Sequence, residues 1–176
     1  MSRASTAAVL LEPDEAWAVA AEVVDPELPV LTLADLGVLR AVDVEGPGVV
    51  RVEVTPTYLG CPAREAIADD LRAAFAARGQ VARVDTVWSP PWTTDRITDR
   101  GRAALAAAGI APPAHPDPGV LPVVSLGRTR VVEDVDCPRC GSGDTRETAR
   151  CGPTACTALR VCEACAEPFE HVRTLR

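Results

Sequence analysis

The sequence Val50-Arg51-Val52-Glu53-Val54 alternates apolar and charged residues. Because successive side chains of a strand point to opposite faces, this alternation predicts a half-buried β-strand. Residues 38–44 are predicted to form its antiparallel neighbour, joined to it through the turn at residues 45–48. Residues 81–88 are predicted to form a third strand. Together these segments indicate a small β-sheet.

A helix is predicted directly after the central strand, over residues 62–78. Ile67, Leu71 and Phe75 recur at every fourth position, which places them on one face of a helix. Gly79 follows at the position where a glycine commonly ends a helix, because glycine accepts a left-handed backbone. The pattern therefore predicts an amphipathic helix that packs against the sheet.

Two further helices are predicted, over residues 14–24 and 95–108. The inner face of the first is predicted to hold Trp17, Ala20, Ala21 and Val24. The inner face of the second is predicted to hold Ile97, Gly101, Ala104 and Leu105. The resulting order, α-β-β-α-β-α, predicts an α+β fold in the form of a two-layer α/β sandwich.

The carboxyl-terminal part contains two Cys-X-X-Cys pairs, Cys137 with Cys140 and Cys162 with Cys165, which are separated by 21 residues. Two such pairs supply four thiolates to one tetrahedral ion, the usual ligand set of structural zinc. Two disulfides, or free thiols acting as small apolar residues, are the alternatives, and a four-cysteine iron–sulfur cluster is the rival occupant. The spacing favours a small four-cysteine zinc ribbon.

Five prolines lie within residues 112–122, where the apolar pattern almost disappears. Such a composition predicts a stiff linker. The chain is therefore predicted to comprise an α/β domain over residues 1–110, a proline-rich linker over 111–122 and the ribbon over 123–176.

Composition limits the function further. A net charge of −7 argues against a nucleic-acid partner, because phosphates attract a basic surface. All basic residues are arginine, which excludes Schiff-base catalysis by lysine. No apolar run reaches the length of a membrane span, and no secretion signal is predicted. We therefore expect a cytoplasmic protein with reduced thiols, whose seven cysteines serve metal chemistry.

Cys61 is separate from the tail cysteines and precedes Pro62, a residue favoured at the first position of a helix. The amides at a helix start favour a thiolate, so the pKa of Cys61 is predicted to be lowered. A functional thiolate and a buried structural cysteine are equally compatible with this position. A cysteine hydrolase is disfavoured, because neither His115 nor His171 is well placed as its base.

Several motifs resemble a known family. Asp25-Pro26-Glu27-Leu28-Pro29, Asp35-Leu36-Gly37-Val38 and residues 54–63 around Cys61 resemble the SufT-like iron–sulfur assembly domains. With residues 91–95 and the ribbon motif at residues 152–156 added, the chain resembles the PaaD family over residues 12–172. That family provides accessory subunits of the phenylacetyl-CoA epoxidase system of aerobic phenylacetate degradation.

The resemblance implies an accessory maturation factor and not an enzyme. In it, Cys61 would transiently hold an iron–sulfur cluster or iron, and Zn²⁺ would be structural. The epoxidase's iron–sulfur reductase or its di-iron oxygenase subunits would be the clients. The family's ribbon ligands correspond to Cys137, Cys140, Cys162 and Cys165. Cys156 also matches as an additional thiol, whereas Cys151 departs from the family pattern and is a poor candidate ligand.

Residues near Cys61 in the motifs have two interpretations each. Asp25 and Glu27 would position a metal ion, or they form a capped bend after the first helix. Thr55 and Thr57 would hydrogen-bond the Cys61 thiolate, or they are ordinary threonines at a strand end. One cysteine cannot complete the coordination of a cluster, so either two copies meet as a homodimer or another thiol completes the site.

Two aromatic residues, Trp88 and Trp92, would form a docking surface or pack over the sheet edge. Two other functions are compatible with the sequence. One is a structural adaptor whose only metal is zinc, and the other is a working subunit of the oxygenase complex. An independent enzyme is the weakest hypothesis, because the sequence contains no phosphate-binding glycine loop and no histidine–carboxylate cluster.

Overall fold

The computed structural model describes residues 11–114 and 134–175, which form two compact units. The first unit comprises the chain up to Trp92 together with residues 96–101. The second comprises residues 93–95 and the chain from Arg102 onward. Helices and strands occur together as predicted, so the α+β class is confirmed. None of the helices in the described segments is long and apolar enough to cross a membrane.

The sheet of the first unit contains β1 (Leu39–Gly46), β2 (Val49–Val54) and β3 (Val81–Thr86), in that spatial order. β1 and β2 are antiparallel, as predicted, and β3 runs parallel to β2. Val50, Val52 and Val54 are buried, whereas the residues between them are partly exposed. The alternation in sequence therefore corresponds to one covered and one open face of the sheet.

Helix α3 (Ala63–Ala76) connects β2 to β3, and this crossover makes the two strands parallel. Its buried residues include Ile67, Leu71 and Phe75, which confirms the predicted inner face. Gly79 has a φ of 72°, the left-handed conformation expected of a glycine that follows a helix. The predicted helix was correct to within two residues at each end.

Helix α1 (Pro13–Ala21) is shorter than predicted, and its inner face is different. Its buried residues are Ala16, Val19 and Ala20. Trp17 is 42% exposed, and Val24 lies beyond the helix end and is 48% exposed. The predicted face was correct at Ala20 and wrong at Trp17 and Val24. The prediction assigned the bulkiest side chain to the interior, whereas the smaller residues there allow the helix to approach its neighbours closely.

A short helix, α2 (Leu33–Leu36), was not predicted. Its buried residue Asp35 accepts hydrogen bonds from the hydroxyls of Thr32 and Thr98 and from Nε of Arg100, at 3.0, 2.8 and 2.8 Å. Gly37 ends the helix with a φ of 72°, and a Cβ there would lie 2.3 Å from the carbonyl oxygen of Arg96. Asp35 thus attaches residues 96–101 to the first unit.

Helix α4 (Asp99–Ala107) begins later than the predicted residue 95, because residues 94–96 form a separate 3₁₀ turn. The hydroxyl of Thr98 accepts a hydrogen bond from the amide of Gly101 at 3.0 Å and caps the helix start. Of the predicted inner residues, Ile97, Gly101 and Leu105 are buried, and Ala104 is half-buried.

The second unit contains a four-stranded sheet in the order β4 (Ile110–Ala111), β7 (Pro168–Val172), β6 (Thr157–Cys162) and β5 (Thr145–Ala149). β4 is parallel to β7, and the other neighbours are antiparallel. Its core contains Ala111, Val135, Cys137, Cys162 and Phe169. The predicted domain boundaries stay a prediction: β4 lies at the predicted junction of domain and linker, and residues 115–122 lie outside the described residues.

Candidate metal and thiol sites

The four tail cysteines converge. Cys137 and Cys162 are buried, Cys140 and Cys165 are exposed, and the four Sγ atoms all lie within 4.8 Å of one another. The Sγ–Sγ distance is 3.8 Å between Cys137 and Cys165 and 3.6 Å between Cys140 and Cys162. A tetrahedron with Zn–S bonds of about 2.3 Å has edges of about 3.8 Å. The donor set therefore fits a tetrahedral zinc ion.

Two short turns build this cluster. The amide of Gly141, with a φ of 74°, donates to the carbonyl of Cys137, and the amide of Ala166 donates to that of Cys162. Backbone amides also reach the sulfurs: the amide of Cys165 is the main reason why the pKa of Cys162 is lowered to about 7. At Cys165 the amide of Glu167 also favours the thiolate, but burial and the neighbouring thiols raise the pKa to about 12. Amides directed at sulfur stabilise thiolates, which is the form that binds a metal.

Cys61 lies immediately before α3 and is half-buried. Its sulfur interacts with the amide of Ala63 at the helix start and with the hydroxyl of Thr57. Its own amide donates to the carbonyl of Tyr58 at 3.2 Å, which closes the loop in front of the helix. Leu59, in the same loop, is 85% exposed. The loop therefore presents an apolar side chain two residues from a thiol.

The pKa of Cys61 is raised, so the predicted lowering is wrong for this structure. Burial is the main cause, and the negative charges of Glu27 and Asp25 add to it. The amide of Ala63 and the hydroxyl of Thr57 do favour the thiolate, as expected at a helix start, but they do not outweigh the other contributions. Burial and the two carboxylates thus favour the thiol over the thiolate at Cys61.

Asp25 forms the capped bend that was one of its two interpretations. Its Oδ1 accepts hydrogen bonds from the amides of Glu27 and Leu28, at 2.9 and 2.8 Å. Burial raises the pKa of both Asp25 and Glu27, and the charge of Asp25 adds to the rise at Glu27. The bend thereby brings two carboxylates close enough to act electrostatically on Cys61, 34 and 36 residues further along the chain.

Thr55 and Thr57 have different surroundings. Thr57 interacts with Cys61, whereas the buried hydroxyl of Thr55 has no hydrogen-bond partner among the described residues. Within residues 11–114 and 134–175, the four tail cysteines are the only group of three or more His, Cys, Asp or Glu side chains that converge closely enough to hold a metal ion. Cys61, Asp25 and Glu27 do not form such a group.

The remaining candidate residues lie outside the tail cysteine cluster and away from Cys61. Cys156 is half-buried with its sulfur 3.1 Å from the hydroxyl of Thr154, and Cys151 is exposed. His171 is buried in β7, and burial lowers its pKa to about 4. Trp92 is buried and donates to the carbonyl of Leu36 at 2.9 Å. His115 lies outside the described residues.

Asp35 is the buried acidic residue that sequence reasoning missed. Although burial opposes its charge, hydrogen bonds from Arg100, Thr98 and Thr32 lower its pKa. The available signal was Thr32, three residues earlier, which caps α2 by accepting a hydrogen bond from the amide of Asp35. Its contacts hold the fold, so Asp35 is not part of the candidate sites.

Two family models match different parts of the chain. Residues 14–86 match the family model described as iron–sulfur cluster assembly protein, and residues 122–173 match the PaaD zinc beta ribbon domain. The chain is 40% identical over 163 residues to a protein of Escherichia coli strain K12 that is named as a subunit of the 1,2-phenylacetyl-CoA epoxidase, covering 92% of both chains. The chain belongs to the PaaD family.

This PaaD-family chain also has relatives that match about half of its length. It is 37% identical over 86 residues to the Fe-S protein maturation auxiliary factor YitW of Bacillus subtilis strain 168, covering 48% of this chain and 83% of the relative. It is 35% identical over 88 residues to the auxiliary factor SufT of Staphylococcus aureus strain USA300, covering 49% and 99%. The predicted family resemblance is thereby confirmed.

Proposed function

We propose that the chain is a cytoplasmic maturation factor for a phenylacetyl-CoA epoxidase, in which Cys61 transiently holds iron or an iron–sulfur cluster as cargo. The cargo passes to the epoxidase's iron–sulfur reductase or di-iron oxygenase subunits. The observation that carries this proposal is the setting of Cys61, a half-buried thiol at a helix start beside the exposed Leu59. A partner that contacts Leu59 comes within reach of the sulfur.

The chemistry of Cys61 suits a transient ligand. One thiol leaves most coordination positions of a cluster to other ligands, so the cargo is not trapped. The thiol must lose its proton when iron binds, and the nearby carboxylates of Asp25 and Glu27 favour a cation over a neutral or anionic ligand. A second copy, a small thiol or the client completes the coordination.

The four tail cysteines are proposed to hold a structural zinc ion. Their Sγ distances match a tetrahedral thiolate site, and four protein ligands leave no open position for chemistry. Zinc would fix the turns at Cys137–Cys140 and Cys162–Cys165, which gives the ribbon a rigid surface for client recognition. In this proposal the two units divide the work: the ribbon binds the client, and the Cys61 loop carries the cargo.

The proposal is tested by the metal content of the client. Cells that produce Cys61→Ser or Cys61→Ala in place of the wild-type chain should contain epoxidase subunits at normal abundance but with low iron, measured by elemental analysis of the purified subunits. Cys151→Ser is the matched control, because Cys151 is an exposed thiol outside both clusters. Normal zinc content of each variant shows that the ribbon has folded.

A second function, that of a working subunit, is favoured by the Escherichia coli relative, whose name places it among the subunits of the epoxidase. Purified epoxidase with its full metal complement separates the two. In the maturation proposal its turnover of phenylacetyl-CoA is unchanged without this chain. A requirement for stoichiometric amounts of the chain would instead make it a working subunit. Full iron content in Cys61→Ala cells would leave a zinc-only adaptor as the function.

A further inference from the structure

Strand β3 is an open edge of the first-unit sheet. The order β1-β2-β3 places it at one side, and no strand of the described residues pairs with its outer side. Its first residue, Val81, is 65% exposed despite being apolar. Open edges of this kind invite pairing with another strand.

The backbone of β3 has a defined set of free groups. The amides of Val81 and Val87 donate to the carbonyls of Gly48 and Val54 on the β2 side, at 2.8 and 2.9 Å. In a parallel pair, alternate residues direct both backbone groups to the same neighbour. The groups of the odd-numbered residues therefore point towards β2. Those of Ala82, Val84 and Thr86 point outward, which leaves three donors and three acceptors without a strand partner among residues 11–114 and 134–175.

We propose that a second copy of this chain pairs its β3 antiparallel with this β3 about a two-fold axis, with Val84 opposite Val84 of the second copy. In this register the outward groups of Val84 exchange two hydrogen bonds across the axis. Ala82 of each copy pairs with Thr86 of the other. By the alternation of an antiparallel ladder, these two pairs add four more hydrogen bonds. The two sheets become one six-stranded sheet. The proposal is independent of the maturation function.

The side chains on the open face of β3 support this register. Arg83 would lie opposite Asp85 of the second copy, and the reverse, so each cross-strand pair joins opposite charges. Both side chains are accessible, 70% and 59% exposed, and their ion pairs within the chain, Arg83 with Glu45 at 3.5 Å and Asp85 with Arg51 at 3.7 Å, are solvent-exposed and weak. Val81 would lie opposite Val87, which covers the exposed apolar residue at the strand start. When residues 81–87 of two copies run antiparallel, opposite charges and apolar side chains therefore face each other.

There is also space beside the edge. Two recesses of about 540 and 360 Å³ lie along β3, and Arg72 and Val84 line both of them. The lining of the smaller recess carries both signs of charge, namely Arg64, Arg72, Glu65 and Asp69. These four residues belong to α3. The α3 of an antiparallel second copy can therefore approach this α3 without bringing only like charges together.

The test is a charge-swap series on the zinc-loaded full chain, followed by sedimentation velocity over micromolar to millimolar concentration. We expect the wild type to dimerise. Arg83→Asp and Asp85→Arg should each weaken dimerisation about tenfold or more, because each places two like-charged pairs across the axis. The double variant Arg83→Asp/Asp85→Arg should restore the dimer, because the swapped charges again meet their opposites.

Asp43→Arg is the matched control, since Asp43 is an exposed carboxylate on β1, at the far edge of the same sheet. It should leave dimerisation unchanged. Hydrogen exchange provides a second readout: the amides of Ala82, Val84 and Thr86 should gain protection as concentration rises. A monomer at every concentration, or a dimer that Asp43→Arg weakens, overturns the proposal. So does a failure of the double variant to restore what either single variant loses.

Discussion

The two thiol sites of this chain differ in how the fold surrounds sulfur. In the tail, four sulfurs lie within 4.8 Å of one another, and backbone amides are directed at them. At Cys61 a single sulfur is half-buried beside two carboxylates, and its pKa is raised. The tail can satisfy all the coordination of a metal ion from within the chain. The Cys61 loop cannot, so any metal it binds needs ligands from elsewhere.

The largest effect should come from removing a tail ligand. Cys162→Ser should abolish zinc binding and unfold the sheet of β5–β7, because structural zinc contributes about 10–16 kcal/mol in small zinc domains. Elemental analysis measures the zinc, and amide NMR dispersion reports the strands. All three tryptophans lie in the first unit, so their fluorescence should stay unchanged.

Cys151→Ser is the control for that experiment, because Cys151 is outside the convergent group, and the variant should keep one zinc per chain. One equivalent of zinc retained by Cys162→Ser would show that the four sulfurs do not act as a set, and the contrast between the two sites would fail.

The second prediction concerns the metal-independent stability of the first unit. Asp35→Ala should reduce the free energy of unfolding by about 1–3 kcal/mol, because the hydroxyl of Thr98 and the largely exposed Arg100 lose a buried acceptor. Urea unfolding followed by tryptophan fluorescence measures the loss. The exposed Asp43→Ala should have little effect, and chelation of zinc should not change the result for either variant.

Acid should act on the second unit through His171. The pKa of its imidazole is about 4 when folded and about 6.5 when exposed, so the unfolded chain binds the proton first as pH falls. The contribution of His171 to stability is therefore complete above pH 6.5 and is lost as pH falls towards 4, by about 3 kcal/mol.

His171→Leu should flatten the pH dependence over this range at matched zinc content. In the wild type, the NMR signals of the His171 ring should not titrate above about pH 5. A titration midpoint near 6.5 would mean that the ring is hydrated, and His171 would then not make the second unit sensitive to acid.

The smallest effect should be at Cys61. Glu27→Gln removes a charge that opposes the thiolate, so alkylation of Cys61 at neutral pH should become about twofold to fivefold faster. Peptide mass spectrometry distinguishes Cys61 from the tail thiols. Glu22→Gln, an exposed carboxylate on the same segment, should leave the rate unchanged. A wild-type midpoint below that of a free cysteine would mean that the helix start dominates after all.

Local patterns predicted the regular elements well. Residues alternate along Val50–Val54, and Ile67, Leu71 and Phe75 recur at every fourth position. Each pattern depends on one face of one element, which the sequence shows directly. The face of α1 was predicted correctly at Ala20 and wrongly at Trp17, because the bulkiest side chain outweighed the smaller residues in the pattern. Size alone does not reveal which side of a helix approaches its neighbours.

At the candidate sites too, local features were predicted and contacts between distant residues were not. The Cys-X-X-Cys spacing identified the tail cluster because each pair closes its own turn. At Cys61, the helix start was visible in sequence, and it predicted a lowered pKa. The carboxylates of Asp25 and Glu27 reach the thiol only through the fold, and burial, the larger cause, is a property of the whole unit. Local patterns therefore do not predict the contributions to the pKa of Cys61 that come from residues far away in the sequence.

The contacts of Asp35 have a consequence for synthesis on the ribosome. Thr98 and Arg100 bind a carboxylate 63 and 65 residues earlier, so the first unit cannot close until translation has passed residue 100 and the exit tunnel has released it. By then the ribosome has already translated β4. Cys61 leaves the tunnel before Arg100 does, and in that interval its thiol lacks the burial that the finished unit provides.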